Sequence, residues 1–476
     1  MIDKKSGAAN VRCYYSSTDA IRSQNPADVE KFLTDRNIIV EDTHSSTKWL
    51  PALQFAHIGA NFPPSIMAVT STFQIPSPIQ SQCWPIVLSG RDIVGIAATG
   101  SGKTLAFLLP ALVHVQHLKS SKKDAPKNRQ NPLVLILSPT RELAMQSFDV
   151  AALAGKASGV RSACIYGGVS KHEQRSVLQQ QGGVQIVIAT PGRLQDLMMD
   201  GTISLDDISF LVLDEADRML DMGFERDIRA IVAKLSSNRQ TVMFSATWPP
   251  VIQAIANEFL KKPVKVTIGN PELAASATVK QIVQVVEPNV RDGLLLDLLS
   301  KYHSSKKNRV LVFVLYKKEA ARVEEFLKRK GWPCSAIHGD MSQEARTRAF
   351  LGFKDGTIPL LIATDVAARG LDIPNVEFVI NYSFPLTIED YIHRIGRTGR
   401  AGKSGVSHTF FTLLDKAHAG ELVNVLREGN HEVPADLLKF GTHVKKKEHS
   451  LYGAHFKAAD TSISNEAPKK MKFDLD

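Results

Sequence analysis

The 476-residue chain is poor in cysteine. Its four, Cys13, Cys83, Cys164 and Cys334, are scattered without paired spacing, which offers neither a disulfide framework nor a zinc site and reads as reduced, intracellular thiols. Runs of about eighteen apolar residues are absent, so no membrane-spanning helix is expected. The opening Met1-Ile2-Asp3-Lys4-Lys5-Ser6-Gly7 has no apolar stretch of the secretory kind. Acidic residues fall short of basic ones, 48 against 58, for a net charge of +10. That balance favours a polyanionic partner but does not separate RNA from DNA or from an anionic membrane. Apolar residues are not scarce: 43% of the chain is hydrophobic, enough for large cores, and the length suggests about three domains.

Against this background, two segments carry chemistry. Ala97-Ala98-Thr99-Gly100-Ser101-Gly102-Lys103-Thr104 follows the apolar segment Ile93-Val94-Gly95-Ile96. Gly100 and Gly102 let backbone N–H groups crowd around phosphate oxygens. Lys103 can reach the β- and γ-phosphates, and Thr104 can offer its hydroxyl to Mg2+. The helix expected from Leu105 to Leu118 adds a positive dipole end. One departure from the general phosphate-loop pattern is Ala97 in place of the first glycine. The second segment is Asp214-Glu215-Ala216-Asp217, directly after the apolar run Phe210-Leu211-Val212-Leu213. Such a run reads as a buried parallel strand, and open α/β sheets bind ligands outside the carboxyl ends of their strands. Carboxylates facing a phosphate loop imply Mg2+ and a nucleoside triphosphate.

Along the chain, residues 1–48 are polar and without sustained periodicity, and read as a tail or weakly ordered extension. From residue 49 to 268, short apolar runs at Leu133–Leu137, Val184–Ile188, Phe210–Leu213 and Thr241–Phe244 alternate with helical segments, the pattern of a parallel α/β domain. Small and turn-forming residues over 269–279 read as a linker. The alternation then restarts over 280–440 with Val310–Val314, Cys334–Ile337, Leu360–Ala363 and Phe378–Ile380. A basic tail, 441–476, carries Lys445-Lys446-Lys447 and Lys469-Lys470-Met471-Lys472. These runs read either as solvated charge or as a nuclear-import or RNA-tethering signal. The basic stretch Lys119–Arg129 reads as a solvated insertion or an auxiliary RNA contact.

Further short motifs sit at strand ends in fixed order. The first domain has Pro139-Thr140-Arg141-Glu142-Leu143-Ala144, Gly167-Gly168, Thr190-Pro191-Gly192-Arg193 and Ser245-Ala246-Thr247. The second has His338-Gly339-Asp340 with Gln343 and Arg346, then Ala363-Thr364-Asp365 through Arg369-Gly370-Leu371-Asp372, and His393-Arg394-Ile395-Gly396-Arg397-Thr398-Gly399-Arg400. With this series complete, residues 50–440 resemble the DEAD-box RNA helicases of superfamily two. The resemblance implies an α/β fold of two tandem RecA-like parallel-sheet domains with polar tails.

The resemblance also implies roles. Phe73-Gln74-Ile75-Pro76-Ser77-Pro78-Ile79-Gln80 matches the adenine-reading segment, although Thr72 and Ser77 replace the usual glycine and threonine. Gln80 has the donor and acceptor to read an adenine edge. Phe55, seventeen positions before Thr72, matches the aromatic that stacks on the base; an ordinary core aromatic is the other reading. ATP would be held by Ala97 to Thr104, with Lys103 also catalytic and Thr104 and Asp214 holding Mg2+. Glu215 would activate the attacking water, and Arg397 and Arg400 would serve as arginine fingers. Asp372 would contact the ribose. Asp217 would bridge to Ser245 and Thr247, and His393 would couple the domains. Thr140, Arg141, Gly168, Thr190 and Arg193 from the first domain, with Gly339, Arg346 and Thr364 from the second, would grip RNA phosphates and sugars.

These expectations amount to an ATP-dependent RNA helicase that remodels RNA locally. The stretch Ile79–Pro110 looks most like a nucleolar branch acting in large-subunit ribosome assembly and rRNA processing. That implies a nuclear location, with cytoplasm as the alternative, pre-ribosomal particles as partners, no membrane and a monomer. An ATP-gated RNA clamp and a DNA-directed motor are the rival readings.

Overall fold

The computed structural model describes residues 13–15, 17–98, 100–120, 128, 130–180, 182–269, 279–368, 376–399 and 404–441. Among them, the first domain holds eight strands: β1 (Ile38–Glu41), β2 (Ile93–Ile96), β3 (Val134–Leu137), β4 (Ser162–Ile165), β5 (Ile186–Ala189), β6 (Phe210–Leu213), β7 (Gln240–Ser245) and β8 (Val264–Ile268). They lie in the order β1-β8-β2-β7-β6-β3-β5-β4. All pairings are parallel except β1 with β8. Every residue of β2, β3, β5 and β6 is buried, because helices cover both faces of a parallel sheet. Separate apolar cores fill the two sides, one around Trp84, Phe107 and Phe244, the other around Leu211, Met219 and Ile231.

The second domain holds β9 (Val279–Val285), β10 (Val310–Val314), β11 (Ser335–Ile337), β12 (Leu360–Thr364), β13 (Phe378–Asn381) and β14 (Gly405–Phe411), in the order β11-β12-β10-β13-β14-β9. All of its pairings are parallel. The tandem α/β reading therefore holds. No helix among the described residues is long and apolar enough to cross a membrane.

The amino-terminal segment departs from its reading as a tail. Residues 17–48 fold onto the first domain, through helices Asp19–Arg22 and Pro26–Asp35 and through β1, which pairs with β8 from Ile38↔Ile268 to Glu41↔Lys265. Its polarity misled because the segment is an outer layer. It buries Ile21, Val29 and Ile38, half-buries Phe32, Leu33 and Val40, and turns the charged residues of its helices and of β1 to water. Two smaller boundaries also move. Lys119 and Ser120 belong to the helix Lys103–Ser120, and Val279 already belongs to β9. Residues 121–127 and 129 of the basic stretch, 270–278 of the linker, and the lysine runs beyond 441 lie outside the described residues.

Candidate functional site

Strand order sorts the motifs. The carboxyl ends of β2, β7 and β6 carry the phosphate loop, Ser245-Ala246-Thr247 and the acidic segment. The neighbouring ends of β3, β5 and β4 carry Thr140-Arg141, Thr190 and Gly167-Gly168. In the second sheet, Gly339 and Arg346 follow β11 and Thr364 ends β12, whereas His393 and Arg397 follow β13.

In the phosphate loop, Gly100 and Gly102 take the left-handed backbone, φ 78° and 93°. A side chain at Gly102 would also collide with Gln80 Nε2, 2.6 Å from an added Cβ. Lys103 is buried, and its Nζ donates to the loop's own carbonyls, Ala97 O at 2.8 Å and Ala98 O at 3.2 Å. The Ser101 hydroxyl is buried with no hydrogen-bond partner. Thr104 lies in the first turn of the helix Lys103–Ser120, and Thr99 lies outside the described residues.

Asp214 emerges from β6, and its backbone N donates to Leu137 O at 2.9 Å. Its carboxylate is buried and Oδ1 has no partner. Burial above all, then the negative charge of Glu215, pushes its pKa up to about 7 against the pull of Lys103. An orphaned buried carboxylate oxygen beside a phosphate loop fits a hydrated divalent cation, which takes one or two protein carboxylates and otherwise phosphates and water. Among the described residues, no group of three or more His, Cys, Asp or Glu could hold a metal by itself. Glu215, also buried, caps the helix Ala216–Asp221 from the left-handed region at φ 50°, ψ 56°. Such strain in a non-glycine residue persists only where its surroundings over-determine it, commonly at functional sites.

Asp217 corrects one expectation. Its Oδ2 accepts from Ala246 N at 3.0 Å, Thr247 N at 2.9 Å and Thr247 Oγ1 at 3.0 Å. Thr247 bridges as expected, but the Ser245 hydroxyl is buried without a partner. The chain leaves β7 after Ser245, and the two backbone N–H groups freed there saturate the carboxylate oxygen.

At the base end, Gln80 sits at the third position of the helix Pro78–Leu88. Its Oε1 accepts from Ser77 N at 3.0 Å to close a capping box, and its Nε2 donates to Gly102 O at 3.0 Å. One end of the amide thus closes the segment on itself, and the other ties it to the phosphate loop. Phe55 opens the four-residue helix Phe55–Ile58, half-buried, with its ring centroid 6.1 Å from that of Trp84.

The first-domain RNA candidates converge. Thr140 Oγ1 caps the helix Arg141–Ser158 by accepting from Leu143 N. Gly168, at φ +86°, admits the Arg141 guanidinium so closely that a Cβ would lie 2.7 Å from it. Arg193 Nη1 donates to Val169 O and Gln174 Oε1, and Thr190 precedes its helix with no side-chain cap bond. In the second domain Gly339 has open space around it and Thr364 is buried at the end of β12. Arg346 is committed elsewhere: its Nη2 donates to Glu142 Oε1 of the first domain at 2.8 Å.

Three of the residues holding this architecture escaped sequence reading. Arg218 and Asp390 form a buried inter-domain ion pair. Arg394 binds both oxygens of Asp365 at 2.6 Å. Arg218 and Arg394 sit inside or beside motifs, but nothing in sequence spacing marks Asp390 as a partner 172 positions from Arg218. His393 and Arg397 are buried at the end of the helix Ile388–Ile395, while Asp372 and Arg400 lie outside the described residues.

This geometry has known counterparts. Residues 77–255 match the DEAD/DEAH box helicase family and residues 291–402 the Helicase conserved C-terminal domain. The chain belongs to the DEAD-box RNA helicases. It is 58% identical over 419 residues to DEAD-box ATP-dependent RNA helicase 5 of Arabidopsis thaliana, covering 88% of this chain and 76% of that one. It is 50% identical over 465 residues to ATP-dependent RNA helicase DBP3 of Saccharomyces cerevisiae, covering 97% and 86%. Among solved structures it resembles S. cerevisiae Dbp5 bound to RNA and ADP BeF3, with a TM-score of 0.65 and 28% identity over 82% of this chain and 94% of that one. This DEAD-box protein is an ATP-dependent RNA helicase, a hydrolase that binds ATP and RNA.

Proposed function

We propose that the helicase binds ATP with Mg2+ in the first domain and completes its hydrolytic site with arginines from the second, remodelling RNA laid across both. The carrying observation is the buried Asp214 with an orphaned oxygen, next to the strained Glu215 and above the glycine turn that ends in Lys103. Lys103 exchanges its two loop carbonyls for phosphate oxygens. Asp214, with the Thr104 hydroxyl, holds the cation, which when bound offsets charge on the β- and γ-phosphates. Glu215 orients the attacking water and takes up its proton. Arg397 and Arg400 stabilise the transferring group, and Asp372 holds the ribose. Phe55 stacks on the base, and Gln80 reads it by releasing one of its two present partners.

RNA runs along the ends of β3, β5 and β4 and across to β11 and β12, held by Thr140, Arg141, Gly168, Thr190, Arg193, Gly339 and Thr364. Arg346 reaches RNA while remaining paired with Glu142. Backbone and sugar contacts of this kind position RNA without reading its sequence. The protein works as a monomer, in the nucleolus, on pre-ribosomal RNA of the large subunit; the resemblance of Ile79–Pro110 to that branch supports this placement. The inter-domain ion pairs lend support to a second reading, a clamp that holds RNA without releasing a strand.

The test compares the parent with Lys103→Ala on short RNA duplexes. The parent should hydrolyse ATP faster with RNA than with DNA and release a strand, and Lys103→Ala should do neither. Equal stimulation by DNA would overturn the RNA assignment, and RNA retention without strand release would favour the clamp. Crosslinking in cells followed by sequencing of the bound RNA tests the ribosomal placement.

A further inference from the structure

The base platform does not hold itself in place. Phe55 lies in a helix of four residues whose N-cap, Gln54, makes no side-chain capping bond. A single turn is far below the length at which a helix persists by itself. Its orientation must therefore come from tertiary contacts; from the amino-terminal segment, one bond reaches the turn and a second holds the chain leading into it. Thr18 Oγ1 donates to His57 O at 2.8 Å, inside that turn. The same hydroxyl accepts from Ile21 N at 3.2 Å and so caps the helix Asp19–Arg22. Gln24 Nε2 donates to Pro51 O at 3.0 Å, four residues before Phe55.

The segment is itself firmly moored. Tyr14 N donates to Leu88 O at 2.7 Å, and Tyr14 OH bonds His114 Nδ1 at 2.9 Å. Ile21 is buried in the main core of the first domain. Beyond β1, Asp42 meets Arg91 through both oxygens, at 2.9 and 3.1 Å, and accepts from Trp49 Nε1 at 3.0 Å. Trp49 O in turn accepts from Gln82 Nε2 at 2.8 Å. The phosphate loop is held by a different set of bonds, from Gln80 and Lys103, and neither Thr18 nor Gln24 takes part in it.

We propose that residues 17–48 form a strap that positions the base-stacking turn, with Thr18 and Gln24 as its positioning residues. The inference rests on the reading of Phe55 as the base platform. The strap thereby governs the affinity for the nucleoside part of ATP while leaving the grip on the phosphates alone. Loss of the Thr18 donor strands the His57 carbonyl, an effect worth roughly fivefold in an equilibrium.

The experiment uses the full chain with Thr18→Val, Thr18→Ser, Gln24→Ala and Phe55→Ala. Four quantities are read: ADP affinity, inhibition by inorganic tripolyphosphate, RNA-stimulated kcat and KM for ATP, and the melting temperature. Thr18→Val should raise KM for ATP and the Kd for ADP by roughly fivefold, with kcat and tripolyphosphate inhibition unchanged. Thr18→Ser, which keeps the donor, should restore the parent values. Gln24→Ala should act in the same direction; it leaves the Thr18 cap intact and carries the test if Thr18→Val does not fold. Unchanged ADP affinity in Thr18→Val and Gln24→Ala, beside a weakened Phe55→Ala, would overturn the strap alone. A parallel loss of tripolyphosphate binding would reduce it to a merely structural element. Unchanged ADP affinity in Phe55→Ala would overturn the base-platform reading and the strap with it.

Discussion

The ion pair between Arg218 and Asp390 makes a quantitative demand. Arg218 belongs to the helix directly behind Asp214 and Glu215, and Asp390 to the helix that ends beside Arg397. Their side chains are 4% and 11% exposed, so this pair escapes the solvent screening that makes surface pairs nearly worthless. Removing one partner of a buried pair strands the other charge, at a cost of about 3–5 kcal/mol. Because the partners come from different domains, the cost falls on domain docking: with the domains apart, both charges meet water. Arg218 keeps a weaker neighbour in Asp221, at 3.9 Å, which points to the lower end of the range. About 3 kcal/mol corresponds to roughly 100-fold in the docking equilibrium. Asp390→Ala should weaken RNA binding in the presence of a non-hydrolysable ATP analogue by about that factor, and Arg218→Met should weaken it in the same direction. The double mutant should lose far less than the product of the two, since no charge is left stranded. Nucleotide binding without RNA should hardly change. Fluorescence anisotropy of labelled single-stranded RNA, with and without the analogue, measures both. Losses that multiply in the double mutant, or that persist without nucleotide, would refute the assignment of the pair to domain docking.

Three further outcomes are expected. Glu215→Gln should retain ATP binding, hydrolyse slowly and prolong the RNA-bound state in ATP, because the amide keeps the shape and loses the base; outright loss of ATP affinity in equilibrium binding would make Glu215 a metal ligand instead. Arg397→Ala should slow RNA-stimulated hydrolysis by roughly 10³ at unchanged nucleotide affinity, checked by single-turnover kinetics. Asp214 should leave a pH signature. An unfolded carboxyl releases its proton near 3.8 and folded Asp214 near 7, so this group withdraws stability from the nucleotide-free protein as pH rises between those values, and by a constant amount above them. Asp214→Asn should therefore raise the melting temperature by several degrees at pH 8 and hardly at all at pH 4; equal shifts at both would contradict the buried-acid account.

How much of this was legible depended on what each element buries. The strands read from sequence, such as β2, β3, β6 and β10, are buried at every position and therefore stand out as apolar runs. β9 was hidden because Val279-Lys280-Gln281-Ile282-Val283-Gln284-Val285 mixes polar residues into the strand, with Lys280 and Gln284 exposed. β14 was hidden because it buries polar residues with partners, Thr409 to Asn381 and His408 to Tyr302. β1 was hidden by its place at a sheet edge. The nucleotide motifs were readable because chemistry restricts residue type at fixed local spacing. Tertiary partnerships were not: Asp217 could be paired with the Ser-Ala-Thr segment, but the choice of Ala246 N over the Ser245 hydroxyl depends on where the chain leaves β7. Glu142 could be read within its motif but not its bond to Arg346, 204 residues on.

The strand order of the first sheet has a consequence for how the enzyme diversifies. On the proposed assignment hydrolysis occupies one flank and RNA grip the other, and the two meet along a single seam between β6 and β3, where Asp214 N is bonded to Leu137 O. Loops after β5 and β4 can drift, lengthen or change charge without disturbing the chemistry, because β3 stands between them and the acids. The turn after β3, with Thr140 and Arg141, has no such freedom. It is at once the inner end of the proposed RNA track and the next-door neighbour of Asp214 and Glu215, so a displacement there should be felt in both directions. Adaptation to new RNAs should accumulate at the β5 and β4 flank, and substitutions in the β3 turn should alter RNA grip and hydrolysis together.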